Sequence, residues 1–222
     1  MKITKQIDFS DVESLSRLLK AGRVSTERFS LDIPLEDAVN SVYSAVVSVV
    51  ELRGGKFLDG SHAHQQIFEV ARWLTDPNGK TGLYLCGLYG NGKTTMAKAL
   101  ALLISRLTEI ENGYRERKVM RFITAKEICR IFVADMKEYR GLFDEEMLII
   151  DDLGTEPREI LQYGNPCTPV IDLIYERYDK RLMTVVTSNL QGDDIEKTYS
   201  AKMRDRFREM LQSVVFKNES YR

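Results

Sequence analysis

Eight residues near the middle of the chain have the types and spacing of a phosphate-binding loop. Residues 87–94 read Gly-Leu-Tyr-Gly-Asn-Gly-Lys-Thr and match GxxxxGK[ST] at every fixed position. The glycines allow the backbone to curl so that successive N–H groups point at one anion. In this pattern Lys93 reaches the β- and γ-phosphates of a nucleotide, and the Thr94 hydroxyl holds Mg²⁺. The motif therefore predicts a nucleotide site with bound Mg²⁺.

The segments on either side of the loop give the structural context that this motif requires. Apolar residues 83–86 predict a buried strand before the loop, and an Ala- and Leu-rich pattern from Thr95 predicts a helix after it. The helix N-terminus adds unpaired N–H donors and a partial positive charge. A chance glycine-rich turn is the weaker explanation. The residues predicted to contact the nucleotide are Gly87, Leu88, Tyr89, Gly90, Asn91, Gly92, Lys93, Thr94 and Thr95.

Two adjacent carboxylates form a second candidate site. Asp151 and Asp152 directly follow the apolar run 147–150, which predicts a buried strand. The carboxyl end of such a strand is the edge of an open α/β sheet where ligands bind. We predict that Asp151 holds Mg²⁺, directly or through water, and that Asp152 orients the attacking water. A solvated acidic strand end is the alternative, and the phosphate loop makes it less favourable.

A polar tripeptide ends another predicted strand. Thr187, Ser188 and Asn189 follow the apolar run of that strand, and the Asn189 amide can donate and accept hydrogen bonds at once. It is therefore the best candidate in this segment to contact the γ-phosphate or the attacking water. The alternative is that Asn189 caps the helix that follows, since Asn is a favoured N-cap residue.

A run of basic residues lies near the end of the chain. Residues 202–208 include Arg204 and Arg208 on one helical face, with Arg206 displaced from them. Charge runs of this kind usually form an exposed helix face. The functional alternative is an arginine presented to the nucleotide of a neighbouring subunit, which in NTPases raises the rate by about 10³–10⁵.

Length, charge and cysteine content restrict the class of protein. The 222 residues suffice for one domain and an appendage. The net charge of −1 gives no overall attraction to nucleic acid, so any such contact must come from local basic patches. The three cysteines form no CxxC pair, which argues against a disulfide or zinc framework. No apolar stretch reaches the roughly 18 residues of a membrane helix, and the first residues do not resemble a signal peptide. We expect a cytoplasmic protein without membrane contact.

The rest of the chain alternates predicted strands and helices. Continuous apolar strands between helices favour a parallel sheet covered on both faces. Ser61 is predicted to cap a helix, and His62 and His64 lie two residues apart at its start. Residues with this spacing do not share a helical face, so the two histidines predict no metal site. Strands are predicted at residues 83–86, 119–123, 147–150, 183–187 and 213–216, and helices at 61–74, 94–108, 125–139, 169–181 and 195–210, the last range holding one or two helices.

The sequence predicts a separate helical region at residues 1–57, followed by a second domain at residues 58–222. Ser10 and Glu13 have capping-box spacing before an apolar helical face, and Pro34 is placed to start a second helix. Residues 54–55 are both glycine and mark the predicted boundary. The two amphipathic helices could pack on the main domain or form a docking surface for a partner.

With these signals in order, the chain resembles the AAA+ ATPases of the DnaC/IstB group, which are helicase loaders and transposition helper ATPases. The resemblance covers roughly residues 60–222. It is carried by the loop 87–94, Ile-Ile-Asp-Asp-Leu-Gly at 149–154, Thr-Ser-Asn-Leu at 187–190, Met-Arg-Asp-Arg-Phe at 203–207 and Ser-Tyr-Arg at 220–222.

The resemblance implies an α/β P-loop NTPase fold with a five-stranded parallel sheet of order 5-1-4-3-2. The Walker A loop then follows strand 1, the Walker B aspartates lie on strand 3, Asn189 is sensor 1 and Arg206 is the arginine finger. Since the chain stops just after the fifth strand, we expect no C-terminal helical lid. The N-terminal region is similar in size and position to the helicase-binding domain of DnaC-type loaders.

The same resemblance implies a slow, assembly-dependent ATPase that uses ATP and Mg²⁺ and self-associates into a ring or spiral. It implies action on single-stranded DNA with a replicative helicase, or with a transposase in the IstB-like alternative. A non-catalytic nucleotide-dependent adaptor and a small-molecule P-loop kinase are the rivals of another class. Basic and aromatic side chains can bind the backbone and the bases of single-stranded DNA. The candidate contacts are Lys137, Tyr139, Arg140 and Phe143. The equal alternative is that these residues form a solvated helix end with aromatic rings in the core.

Overall fold

The fold is built on a five-stranded parallel sheet with helices on both faces. The computed structural model describes residues 28–112 and 117–218, so the predicted first helix and the motif at 220–222 lie outside the described residues. In chain order the elements are α1 (Leu35–Glu51), α2 (Ser61–Thr75), β1 (Gly82–Gly87), α3 (Lys93–Asn112), β2 (Arg121–Thr124), α4 (Ala125–Ala134), α5 (Met136–Gly141), β3 (Met147–Leu153), β4 (Ile160–Gln162), β5 (Asn165–Cys167), α6 (Pro169–Asp179), β6 (Met183–Ser188), α7 (Asp193–Thr198), α8 (Ala201–Met210) and β7 (Leu211–Phe216).

The strand order of the main sheet is β2-β3-β6-β1-β7, and all its pairings are parallel. Counting only these five strands along the chain, this is the predicted order 5-1-4-3-2, which is confirmed. β1 lies between β6 and β7, with Leu85 opposite Thr187 and Val214. The carboxyl ends of β1, β3 and β6 therefore meet at one edge of the sheet.

Alternate residues of each central strand enter two different hydrophobic cores. In β1, Leu83 and Leu85 pack in the core under α1, α2 and α3, whereas Tyr84 and Cys86 pack in the core under α4 to α8. Side chains alternate between the faces of a strand, so burial of both faces requires a continuous apolar run. This explains why the strand patterns in the sequence show no polar alternation.

Helix α1 belongs to the first of these cores. Its buried residues Ala38, Val42 and Val46 lie among side chains of α2, α3 and the sheet. The second helix of the predicted N-terminal region therefore packs on the main domain, one of the two alternatives that the sequence left open. The boundary at residues 57/58 stays a prediction for the chain as a whole. No helix of the described part of the chain is long and apolar enough to cross a membrane.

Three local features differ from the sequence prediction. The helix predicted over 125–139 is broken at Asp135, whose carboxylate accepts from the N–H groups of Lys137 and Glu138, both at 2.9 Å, and starts α5. Ser61, the predicted N-cap, is instead the first residue of α2. Gly60 occupies the N-cap position, so no side chain caps this helix. The hairpin β4–β5, which turns through residues 163–164, was not predicted.

A fully buried arginine joins three segments of the second core. Arg177 of α6 donates from its guanidinium to the Thr184 hydroxyl at 2.9 Å. It also donates to the backbone carbonyls of Glu145 and Met183, both at 2.7 Å, and of Leu142 at 3.1 Å. Burial lowers the pKa of Arg177 to about 10, so the group stays charged at neutral pH. The guanidinium thus ties α6 and β6 to the turn before β3.

We predict that Arg177→Leu lowers the free energy of unfolding by about 3 kcal/mol or more, because buried carbonyls lose their donor. Urea unfolding followed by circular dichroism measures this change. Arg130→Leu on α4 is the matched control, since that arginine is exposed, and its effect should stay within about 0.5 kcal/mol. Equal effects of the two substitutions would contradict the structural role of Arg177.

Candidate functional site

The loop of residues 87–94 runs from the carboxyl end of β1 to the first turn of α3. Gly87 has a φ of 148°, and a Cβ at this position would lie 2.2 Å from the carbonyl oxygen of Phe216. Gly92 has a φ of 100°, in the region that side-chain-bearing residues rarely adopt. Glycine is therefore required at both positions for the loop to curl beside β7.

Four protein oxygens hold the Lys93 ammonium. Two are backbone carbonyls of the loop, those of Gly87 at 3.0 Å and Leu88 at 2.6 Å. The other two are the side-chain amide oxygens of Asn91 at 3.1 Å and Asn189 at 2.9 Å. The loop lysine and the candidate sensor residue, predicted independently from the sequence, therefore touch each other.

Burial and neighbouring anionic groups act in opposite directions on Lys93. Its side chain is buried, and this desolvation lowers the pKa of the ammonium. The carboxylates of Asp152 and Asp151, with the Cys86 thiol, raise it in part. A phosphate placed at the ammonium would favour the charged form further. The electrostatics of this position therefore suit an anionic ligand.

The carboxylate of Asp151 is buried at the end of β3 and faces two hydroxyl groups. Thr94 donates to its Oδ1 at 2.9 Å, and Thr187 donates to the same oxygen at 2.6 Å. Hydroxyl and carboxylate oxygens suit Mg²⁺, which is usually bound through one or two carboxylates with phosphates and waters. Among the described residues, no group of three or more His, Cys, Asp or Glu is placed to hold a metal ion.

Asp152 is turned out of the sheet beside Asp151. Its φ of 57° lies in the left-handed region, and the pairing of β3 with β6 shifts register between Ile150 and Leu153. Its backbone N–H donates to the Thr187 hydroxyl at 2.9 Å, while its side chain is exposed and lines the same cavity as Lys93. Strained non-glycine residues of this kind cluster at functional sites.

A cavity of about 680 Å³ joins the loop, both aspartates and Asn189. Its opposite wall comes from the end of α1 and the segment after it, and Arg53 there donates to the Thr95 hydroxyl at 3.2 Å. Sequence reasoning missed this wall because the segment carries no motif and lies far upstream of the loop. The lining also includes Arg53, Lys56, Phe57, Leu58, Ala63 and Ile67.

A chain of buried amides supports the loop from behind. Gln66 of α2 donates to the Asn218 side-chain oxygen at 2.8 Å, and Asn218 donates to the Asn91 carbonyl at 3.2 Å. The Asn91 amide donates in turn to the Phe216 carbonyl at 2.8 Å. The position of the loop therefore depends on residues before β1 and after β7.

The arginines of α8 are in different surroundings, and Arg206 does not line this cavity. Its guanidinium carbon lies 4.0 Å from the ring centroid of Tyr175 and 5.1 Å from that of Tyr178. Arg204 forms ion pairs with Glu196 and Asp205, and Arg206 has a long one of 3.8 Å with Asp179. An arginine-finger role for Arg206 thus requires the nucleotide of another chain.

The predicted DNA cluster is not brought together as one surface. Tyr139 is buried, its hydroxyl donates to the Pro169 carbonyl at 2.8 Å, and its ring packs against Phe143 at 5.0 Å. The ring of Tyr139 therefore fills the core between α4, α5 and α6 and is not exposed for a base to stack on. Lys137 and Arg140 are exposed, and their contact with DNA stays a prediction.

Comparison with solved structures identifies the fold. A structure of DnaI shares 19% identity over 87% of this chain and 99% of that chain, with a TM-score of 0.53. AMPPCP-bound DnaA from Aquifex aeolicus shares 14% over 72% of this chain and 48% of that one, with a TM-score of 0.51. Domain III of the Thermotoga maritima replication initiation protein DnaA shares 19% over 72% and 65%, with a TM-score of 0.50.

This chain therefore shares its α/β fold with DnaI and DnaA, as the sequence resemblance predicts. No protein-family model matches it, and a comparison with curated protein sequences gives no match.

We predict that Asn218→Ala weakens binding of the analogue AMPPCP by about 5- to 10-fold, because the Asn91 carbonyl of the loop and the Gln66 amide each lose a hydrogen bond. Isothermal titration calorimetry with Mg²⁺ present measures the affinity. Lys217→Ala is the matched control, since the neighbouring lysine is exposed and lies outside the cavity. An unchanged affinity of the Asn218 variant would show that the amide chain does not position the loop.

Proposed function

We propose that this protein binds ATP with Mg²⁺, hydrolyses it, and acts as a DnaC-like helicase loader on single-stranded DNA. The observation that carries the proposal is the meeting of three strand ends at one cavity. Lys93 after β1 contacts Asn189 after β6, and Thr94 contacts Asp151 of β3. The phosphate-binding lysine is thereby hydrogen-bonded to the sensor residue, the two metal-ligand candidates are hydrogen-bonded to each other, and all four line one cavity.

In the proposed complex, the triphosphate lies along the loop, and its oxygens replace protein oxygens as acceptors for Lys93. The N-terminus of α3 adds backbone N–H donors to the same anion. Thr94 and Asp151 would hold Mg²⁺, which when bound neutralises charge on the β- and γ-phosphates. The nucleoside end then extends toward the wall formed by Phe57 and Leu58.

Hydrolysis in this proposal uses Asp152 and Asn189. The Asp152 carboxylate accepts a hydrogen bond from water and orients its oxygen toward the γ-phosphorus. The new P–O bond forms as the bond to the β–γ bridging oxygen breaks, and the products are ADP and phosphate. Asn189 contacts the transferred phosphoryl group from β6, and Arg206 of a second copy stabilises its charge. Such a site is complete only in an assembly.

The role in replication is supported by the shared fold with DnaI and with DnaA, which is a replication initiation protein. We infer that ATP controls self-association into a ring or spiral that delivers a replicative helicase to single-stranded DNA. Affinity capture with purified helicase and purified transposase separates this role from the IstB-like one. Capture of the transposase alone would favour the transposition helper.

We predict that Asp152→Asn lowers ATP turnover by about 10²–10⁴-fold and changes AMPPCP affinity less than about threefold. Asn tolerates the left-handed backbone at this position, so the fold should be preserved. Phosphate release with and without a single-stranded oligonucleotide measures turnover. Glu159→Gln, a nearby exposed carboxylate, is the matched control. Unchanged turnover in the Asn variant would contradict water activation by Asp152. A variant that loses turnover but keeps its biological activity would favour a non-catalytic adaptor.

A further inference from the structure

We propose that Tyr175 and Tyr178 form an aromatic platform that positions Arg206 for the nucleotide of a second copy of this chain. The inference rests on the proposed function, in which that arginine acts between subunits. Both tyrosines lie on α6, which packs against α8, and their ring centroids are 4.0 Å and 5.1 Å from the guanidinium carbon. The two rings thus fix the guanidinium of a residue that is absent from its own nucleotide cavity.

The type of contact distinguishes Arg206 from Arg204. Two carboxylates of its own chain pair with Arg204, Glu196 through a hydrogen bond from Nη1 and Asp205 at 3.7 Å from Nη2. Aromatic faces attract a guanidinium from above, so the rings themselves do not use the N–H donors in its plane. The Asp179 carboxylate is 3.8 Å from Arg206, beyond hydrogen-bond distance. Arg206 is therefore held in place while its N–H groups remain suited to a phosphate.

The platform itself is fixed by polar contacts at both rings. The Tyr178 hydroxyl donates to Glu209 of α8, and the Tyr175 hydroxyl lies 3.4 Å from the Ser200 hydroxyl, which caps α8. Lys202, one turn before Arg206, lies 4.8 Å from the Tyr175 centroid. Two cations of α8 thus share one tyrosine, and the carboxylates of Asp179 and Glu209 lie at the same cluster.

The test uses mixtures of full-length variants with ATP, Mg²⁺ and a single-stranded oligonucleotide. Lys93→Ala protein cannot use its own nucleotide but donates Arg206. Arg206→Ala protein binds nucleotide but donates no arginine. The reference mixture of the two should hydrolyse ATP clearly faster than either alone.

Tyr175→Leu is then placed on one subunit at a time. On the Lys93→Ala subunit, which donates the arginine, it should lower the turnover of the mixture by about 3- to 30-fold, the range of a cation–π contact. On the Arg206→Ala subunit, Tyr175→Leu tests only for a structural effect, because that chain has no arginine for the ring to hold. Turnover should then stay within about twofold of the reference mixture. Tyr175→Phe on the donor keeps the aromatic face and should restore turnover.

The outcomes separate this inference from the proposed function. A reference mixture no faster than its components overturns action between subunits, and the platform with it. A working reference mixture that Tyr175→Leu does not affect overturns the platform alone. Equal losses with the substitution on either subunit, or failure of Tyr175→Phe to restore turnover, would also overturn it, because they indicate a general structural role.

Discussion

The buried ammonium of Lys93 is the constraint on which the site depends. Removing a charge from water is costly unless polar groups replace the lost hydration. Here the replacement oxygens come from the loop after β1 and from Asn189 after β6. These groups can meet only if β1 and β6 are neighbours with their carboxyl ends at the same edge, which the parallel sheet provides. The hydrogen bonds that hold the loop lysine therefore require this order of strands.

The same sheet edge connects the nucleotide cavity to the helix that carries Arg206. After Asp152 the chain turns, and the Gly154 N–H donates to Glu156 at 2.8 Å. The other carboxylate oxygen of Glu156 accepts from the Tyr199 hydroxyl, two residues before α8 begins. The end of β3 and the start of α8 are thus joined by one glutamate. In the proposed assembly, each chain presents its cavity and its arginine on surfaces fixed by the same framework.

Much of this site could be predicted from the sequence because its signals are local. The loop glycines, the paired aspartates and Asn189 each follow an apolar strand, and parallel strands bring such ends together. Interactions between distant segments carried no such signal. Examples are the cavity wall at residues 53–58, the four hydrogen bonds of Arg177 and the burial of Tyr139. For Tyr139, the helical pattern of the sequence continues across Asp135, where the helix is broken in the structure. The sheet order came from the family resemblance, which encodes long-range pairing that periodicity does not.

Sedimentation velocity of the full-length chain tests most directly whether a second copy completes the site. The protein is measured alone, with Mg²⁺ and AMPPCP, with a single-stranded oligonucleotide, and with all of these together. We expect a monomer without ligands and a larger species when the nucleotide analogue and DNA are both present. A monomer under every condition would contradict a hydrolytic site shared between two chains.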